Sequence, residues 1–141
     1  MIQIDTEKNR VNQDFNAAVR NSYLFFPAIS VDIAGNLNVI YGFSNMTFFP
    51  SLLVSQQAIG DPANSLQSPV LLQQGSGADK SGRFGDYFAV ANSPEKQSEF
   101  WVAGQYTPAS SSRIFWSTFI GNFSTISSEI SPTITSPTIT I

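Results

Sequence analysis

Cysteine and histidine are both absent from this 141-residue chain. Without cysteine there is no disulfide and no thiolate zinc site, so packing alone must hold the fold. Without histidine there is no imidazole general base and no His-based catalytic triad. Missing thiols do not by themselves assign a compartment. Charge is scarce as well, at 12% of residues against roughly 25% in an average domain. Ser, Thr, Asn and Gln stand in its place, which suits exposed strands and turns better than surface helices. The seven Lys and Arg never cluster in threes and the net charge is −3, so nucleic-acid binding has no electrostatic footprint. An anionic membrane surface is disfavoured for the same reason. No run of about 18 apolar residues occurs, so no membrane span is expected. The opening Met-Ile-Gln-Ile-Asp-Thr-Glu-Lys is charged and alternating, unlike a signal peptide; an exported form would carry its signal upstream or have lost it.

What the chain does have is 42% hydrophobic residues, length for one domain with a real core, and an internal repeat. Phe26-Pro27-Ala28-Ile29-Ser30 aligns with Tyr87-Phe88-Ala89-Val90-Ala91 at an offset of 61. The same offset matches Val39-Ile40-Tyr41-Gly42 to Phe100-Trp101-Val102-Ala103, and Ser51-Leu52-Leu53-Val54 to Ser112-Arg113-Ile114-Phe115. Each copy reads as a short meander. The first has expected strands over residues 25–32, 37–44 and 51–58, with a turn at Ile33-Ala34-Gly35-Asn36 where Gly35 supplies positive φ. Val70-Leu71-Leu72 is its outer fourth strand. The second has strands over 87–92, 99–106 and 113–119, with Pro94 presetting the first turn.

Short strands between turn signals, with no helical period, argue for an all-β fold. A repeat of about 60 residues, each worth one small sheet, favours propeller-like antiparallel four-stranded blades. The chain divides into residues 1–16, an outer strand left over from a preceding unit; 17–78, the first blade; 79–123, the second; and 124–141, a β-branched tail rich in Ser, Thr, Pro and Ile. That tail repeats Ser-Pro-Thr-Ile-Thr at 131–135 and 136–140. It reads mainly as an extended, proline-broken linker, and in a second reading as a strand donated to an open sheet edge.

The stretch Gly82-Arg83-Phe84-Gly85-Asp86-Tyr87, with Phe100-Trp101, Gln105-Tyr106 and Trp116-Ser117-Thr118-Phe119-Ile120, resembles the C-terminal blades of sialidase-like β-propeller proteins of the BNR or exo-α-sialidase repeat type. Phe26-Pro27-Ala28-Ile29, Asp32, Gly35-Asn36 and Tyr41 resemble the preceding blade, so the likeness covers about residues 17–123. It departs from the family at Ser30-Val31-Asp32-Ile33-Ala34-Gly35, where glycine falls one residue late for an Asp-box and no Trp follows. The resemblance implies an anion-binding arginine triad, which Arg10, Arg20, Arg83 and Arg113 do not supply at any telling spacing. Two blades are also fewer than the four or more that close a propeller.

Six residues stand out as ligand-binding candidates: Arg83, Asp86, Tyr87, Trp101, Tyr106 and Trp116. Arg83 with Asp86 reads first as a turn-stabilising ion pair and second as an anion contact at a propeller mouth. The aromatics could stack on a sugar, although strand alternation sends about half of them into the core. Glu99 and Tyr106 stand seven apart on one strand, hence on opposite faces, which argues against an acid–nucleophile pair. Asp32 is a weak metal candidate beside Asn36 and more readily a turn cap. Asn45-Met46-Thr47 and Asn122-Phe123-Ser124 are sequons, making Asn45 and Asn122 glycosylation candidates. No catalytic constellation and no cofactor motif emerges. The expectation is an extracellular or cell-surface structural or adhesive module, self-assembling through open sheet edges and the C-terminal strand. Its partners would be copies of itself or other blades of a longer chain, and glycans. The alternatives are a fragment of a sialidase-like glycoside hydrolase or a lectin-like domain.

Overall fold

The computed structural model describes residues 1–109, 116–125 and 130–132. All their regular structure is β, and every strand pairing is antiparallel. No helix long and apolar enough to cross a membrane occurs among them.

Two four-stranded sheets form the body. The first is a meander of β3 (Ser22–Val31), β4 (Leu37–Asn45), β5 (Phe49–Gln57) and β6 (Val70–Gly75), in that spatial order. The second follows the same plan with β7 (Ala89–Asn92), β8 (Glu99–Tyr106), β9 (Ser117–Thr125) and β10 (Ile130–Pro132). A separate hairpin joins β1 (Ile2–Asp5) to β2 (Arg10–Asp14). Ile2–Ile4 was expected as an outer strand of a preceding unit; its partner is instead the next stretch of chain. The tail, read mainly as a linker, contributes β10, which pairs with the β9 edge of its own sheet. Residues 133–141 lie outside the described residues.

The expected turn at 33–36 forms. Gly35 takes φ +91°, and the Asp32 carboxylate accepts hydrogen bonds from the Asn36 N–H (2.9 Å) and Asn36 Nδ2 (2.8 Å). The third strand of the second copy differs. Expected over 113–119, it runs over Ser117–Thr125, and residues 113–115 lie outside the described set. Pairing sets Leu52 opposite Gly42 and Ile120 opposite Ala103, so third-strand equivalents are 68 apart where second-strand ones are 61 apart. The link before the third strand is three residues in the first unit (46–48) and ten in the second (107–116). An ungapped offset cannot see that insertion.

The sheets stack face on face. Ile40, Leu52 and Val54 of the first meet Phe100, Val102, Phe119 and Phe123 of the second in one buried cluster. Phe100 and Phe123 are wholly buried and stack with ring centroids 5.7 Å apart. Burying side chains of this size stabilises by about 1.5–3 kcal/mol each relative to exposure. The equivalent of Ile40 is Trp101, and it points away from the first sheet. The two sheets therefore stack in the same sense, first strand over first strand and second over second.

The first sheet is covered on its other face too. Val39, Tyr41, Phe43 and Leu53 pack beneath Met1, Val19, Phe48 and Leu66, with the Met1 amino group donating to the Phe15 carbonyl. Double coverage explains why Val39-Ile40-Tyr41 reads as an unbroken apolar run.

Polar bridges hold the stack at both ends. Asn92 Nδ2 donates to the Val31 carbonyl (2.6 Å), and Ser30 Oγ donates to Asn92 Oδ1 (3.1 Å). At the far end Thr107, fully buried, donates its N–H to the Pro50 carbonyl (3.1 Å) and its hydroxyl to the Gly77 carbonyl, while its own carbonyl accepts the Ser76 N–H (2.8 Å). Between the ends, Asn38 and Gln56 sit opposite each other on β4 and β5, wholly buried, with no partner for either amide group among the described residues.

Candidate functional site

The sequence candidates do not converge: two surfaces hold most of them, and a third surface holds none. The first is the loop entering the second sheet, residues 76–88. It is built on local hydrogen bonds: Asp79 Oδ1 accepts from the Ser81 N–H (3.0 Å) and hydroxyl (2.6 Å), and Ser81 Oγ accepts the Arg83 N–H (3.0 Å). Slight burial works against the Asp79 charge. Donation from the Ser81 hydroxyl, the Ser81 N–H and the Gly82 N–H outweighs it and holds the carboxyl below its ordinary 3.8.

Phenylalanines anchor this loop to the first sheet. Phe84 meets Phe25 edge-on at 6.0 Å, and Phe26 stacks on Phe88 at 6.2 Å. Gly85, at φ +93°, lies under the Phe26 ring, where any Cβ would collide, and its N–H donates to buried Gln105 Oε1 (2.8 Å). Phe26 itself is strained. It takes φ +51° at the bulge between Phe25 and Ala28, a left-handed conformation costly for a bulky side chain and stabilised here by the ring stack.

With Phe84 and Gly85 pinned inward, Arg83, Asp86 and Tyr87 face water. Arg83 Nη2 lies 3.8 Å from Asp86 Oδ2, both side chains are largely exposed, and Tyr87 keeps 73% exposure. A pair this open contributes little to stability. Chemically it offers a guanidinium beside an exposed carboxylate.

The second surface is the outward face of the second sheet. Ala91 pairs with Trp101, which pairs with Asn122; Ala89 pairs with Ala103, which pairs with Ile120. Cross-strand partners share a face, so these six side chains form one neutral, mainly apolar patch. Trp101 is 44% exposed and Ile120 37%.

Tyr106 belongs to neither, since its ring packs against the inter-sheet core. Trp116 stands half-exposed just before β9, at the end of the sheet marked by the Tyr106–Ser117 pair. Asn45 caps its own turn, its Oδ1 accepting the N–H groups of Thr47 and Phe48 (2.8 Å each) beside fully exposed Met46. Asn122 lies mid-strand, with an Nδ2 atom that is buried and unpartnered among the described residues. Asp32 is buried and saturated by its turn, and no group of three or more acidic residues placed to hold a metal occurs among the described residues.

A third surface was not visible in the sequence: a cleft of about 370 Å³ between the β1–β2 hairpin and the 33–36 turn, edged by Ile2, Ile29, Val31 and Ile59. Its floor is a ladder of amides. Gln13 and Gln57 exchange hydrogen bonds (2.7 and 3.1 Å) and Gln13 reaches Gln3 (3.0 Å). Asp61 beside it is engaged by the Ala58 N–H (2.8 Å) and Gln67 Nε2 (3.0 Å). The only early signal was glutamine at strand positions, which composition alone does not place.

No protein-family model, curated protein or solved structure matches this chain.

Proposed function

We propose that this chain is a structural or adhesive module of propeller-derived design, working outside the cell by association rather than by turnover. The observation that carries the reading is the incomplete stack. Positions that are core in the first sheet recur in the second as a face that, among the described residues, no other sheet covers, centred on Trp101. Sheets stacked in one sense, each an antiparallel meander, are how propeller blades sit side by side, which supports the blade reading. The exposed sequon turn at Asn45 favours an extracellular setting. Size-exclusion chromatography with light scattering over a hundredfold concentration range tests the association. A concentration-dependent rise in mass is expected, and a strict monomer throughout would remove the reading.

Glycan recognition is the second reading, favoured by the outward-facing Arg83–Asp86–Tyr87 group. It predicts glycan-array signal lost on Arg83→Ala; an empty array rejects it. The hydrolase alternative draws no support from this geometry, because Arg83, Tyr106 and Glu99 occupy different surfaces.

A further inference from the structure

We propose that the outward face of the second sheet, Trp101 with Ala89, Ala91, Ala103, Ile120 and Asn122, is the contact by which two copies of this chain pair face to face about a two-fold axis. The inference rests on the association reading above and names its surface, a sheet face rather than a sheet edge.

Three observations select a second copy as the occupant. First, the equivalent positions in the first sheet, Ile40, Leu52 and Val54, are buried under another four-stranded sheet, so the corresponding face of this strand arrangement already takes a sheet as its cover. Second, the face is neutral. Among the described side chains its one charge is Glu99 at the end, and Lys96 Nζ neutralises it at 2.9 Å. An isologous contact brings each side chain near its own copy, so a charged face would repel itself; this one does not. Third, the geometry closes. Head-to-tail addition would lay this face on the back of a neighbour's first sheet, but Met1, Val19 and Leu66 cover that back. Front-on-front pairing is what remains, and it ends at two copies instead of growing into a fibre.

Size sets the strength. Strands β7, β8, β9 and β10 hold 4, 8, 9 and 3 residues; at about 3.3 Å per residue and about 4.8 Å between strands they give a footprint of roughly 380 Å² per copy. That is roughly 760 Å² in all, below the size of a standard interface, so the dimer is weak and dissociable. Asn122, where the first sheet has Val54, pulls in the same direction.

The test is sedimentation velocity of the whole chain from micromolar to millimolar concentration, on the parent and on Trp101→Glu, Ile120→Lys and, as an edge control, Leu71→Lys on β6. Far-UV circular dichroism confirms that each variant folds. Expected is a monomer–dimer equilibrium whose dissociation constant rises at least tenfold in the two face variants and stays within threefold in the edge variant. Because the chain has no cysteine, Ala103→Cys with a short bis-maleimide should give a covalent homodimer, and Leu71→Cys should not. Association that survives Trp101→Glu but falls with Leu71→Lys overturns the face contact and leaves the association reading standing. A monomer at every concentration overturns both. Trp101 shielded from acrylamide in the monomer, and exposed on deleting residues 133–141, would assign the face to the chain's own tail and overturn the pairing.

Discussion

Ile40 and Trp101 occupy the same place in their two sheets, 61 residues apart, yet Ile40 is fully buried and Trp101 is 44% exposed. The difference lies in what covers them and not in the strands that carry them. Removing each should therefore cost different amounts. Ile40→Ala leaves a cavity between the sheets and should destabilise by about 2–5 kcal/mol. Trp101→Ala, losing cross-strand contact only, should cost less than about 1 kcal/mol in dilute solution. Urea unfolding followed by far-UV circular dichroism separates the two.

Thr107 ties the end of β8 to the first sheet through a hydroxyl shut away from water. Thr107→Val keeps the shape, removes that donor and strands the Gly77 carbonyl, at a cost of about 1–3 kcal/mol. Thr107→Ser retains the hydroxyl and should recover most of the loss. Equal destabilisation by the two variants would show that the methyl group matters instead.

Gly85 combines positive φ with a ring lying where a side chain would start. Gly85→Ala should cost about 2–4 kcal/mol, from left-handed backbone strain plus displacement of Phe26. Gly60→Ala is the control, since its added Cβ meets nothing within 4 Å and φ is not positive there. Thermal melts of the two variants give the comparison.

Burial pushes the Tyr41 hydroxyl above its ordinary 10.0, partly countered by its 2.7 Å hydrogen bond with Ser55 Oγ. A folded-state value above the unfolded one means the native chain holds this proton more tightly. The associated stability is complete below pH 10.0 and declines as pH rises beyond it toward the folded value. Tyr41→Phe should remove this contribution to the alkaline decline, measured by denaturant titration from neutral pH upward, at the expense of an unpaired Ser55 hydroxyl.

Alternation and turn chemistry made much of this legible. The β8 strand at Glu99–Tyr106, the Gly35 turn and the edge strand beginning at Val70 all follow from short-range pattern. The start of β9 did not, because Ile114-Phe115 looks as strand-like as Phe119-Ile120 and only the pairing of Ala103 with Ile120 decides between them. The β1–β2 hairpin was half visible: Ile2 and Ile4 alternate, but Arg10–Asp14 is almost wholly polar and carries no periodic signal. Among the candidates, the closeness of Arg83 to Asp86 follows from their spacing. That Trp101 faces out while Tyr106 faces in depends on which side of the sheet meets the first unit, and one strand read alone cannot say. The contacts that pin the entry loop, Phe84 on Phe25 and Gly85 on Gln105, join residues 20 or more positions apart and have no local trace.

Both tryptophans, Trp101 and Trp116, sit at the surface, and neither contributes to the core. Their emission in the native chain should already lie near the wavelength of hydrated indole, so unfolding will scarcely move it, and a flat fluorescence trace would say nothing about whether the fold has been lost. With Trp116 replaced by Phe, the remaining indole becomes an optical gauge of whatever settles on the outer sheet, shifting to the blue as water leaves it.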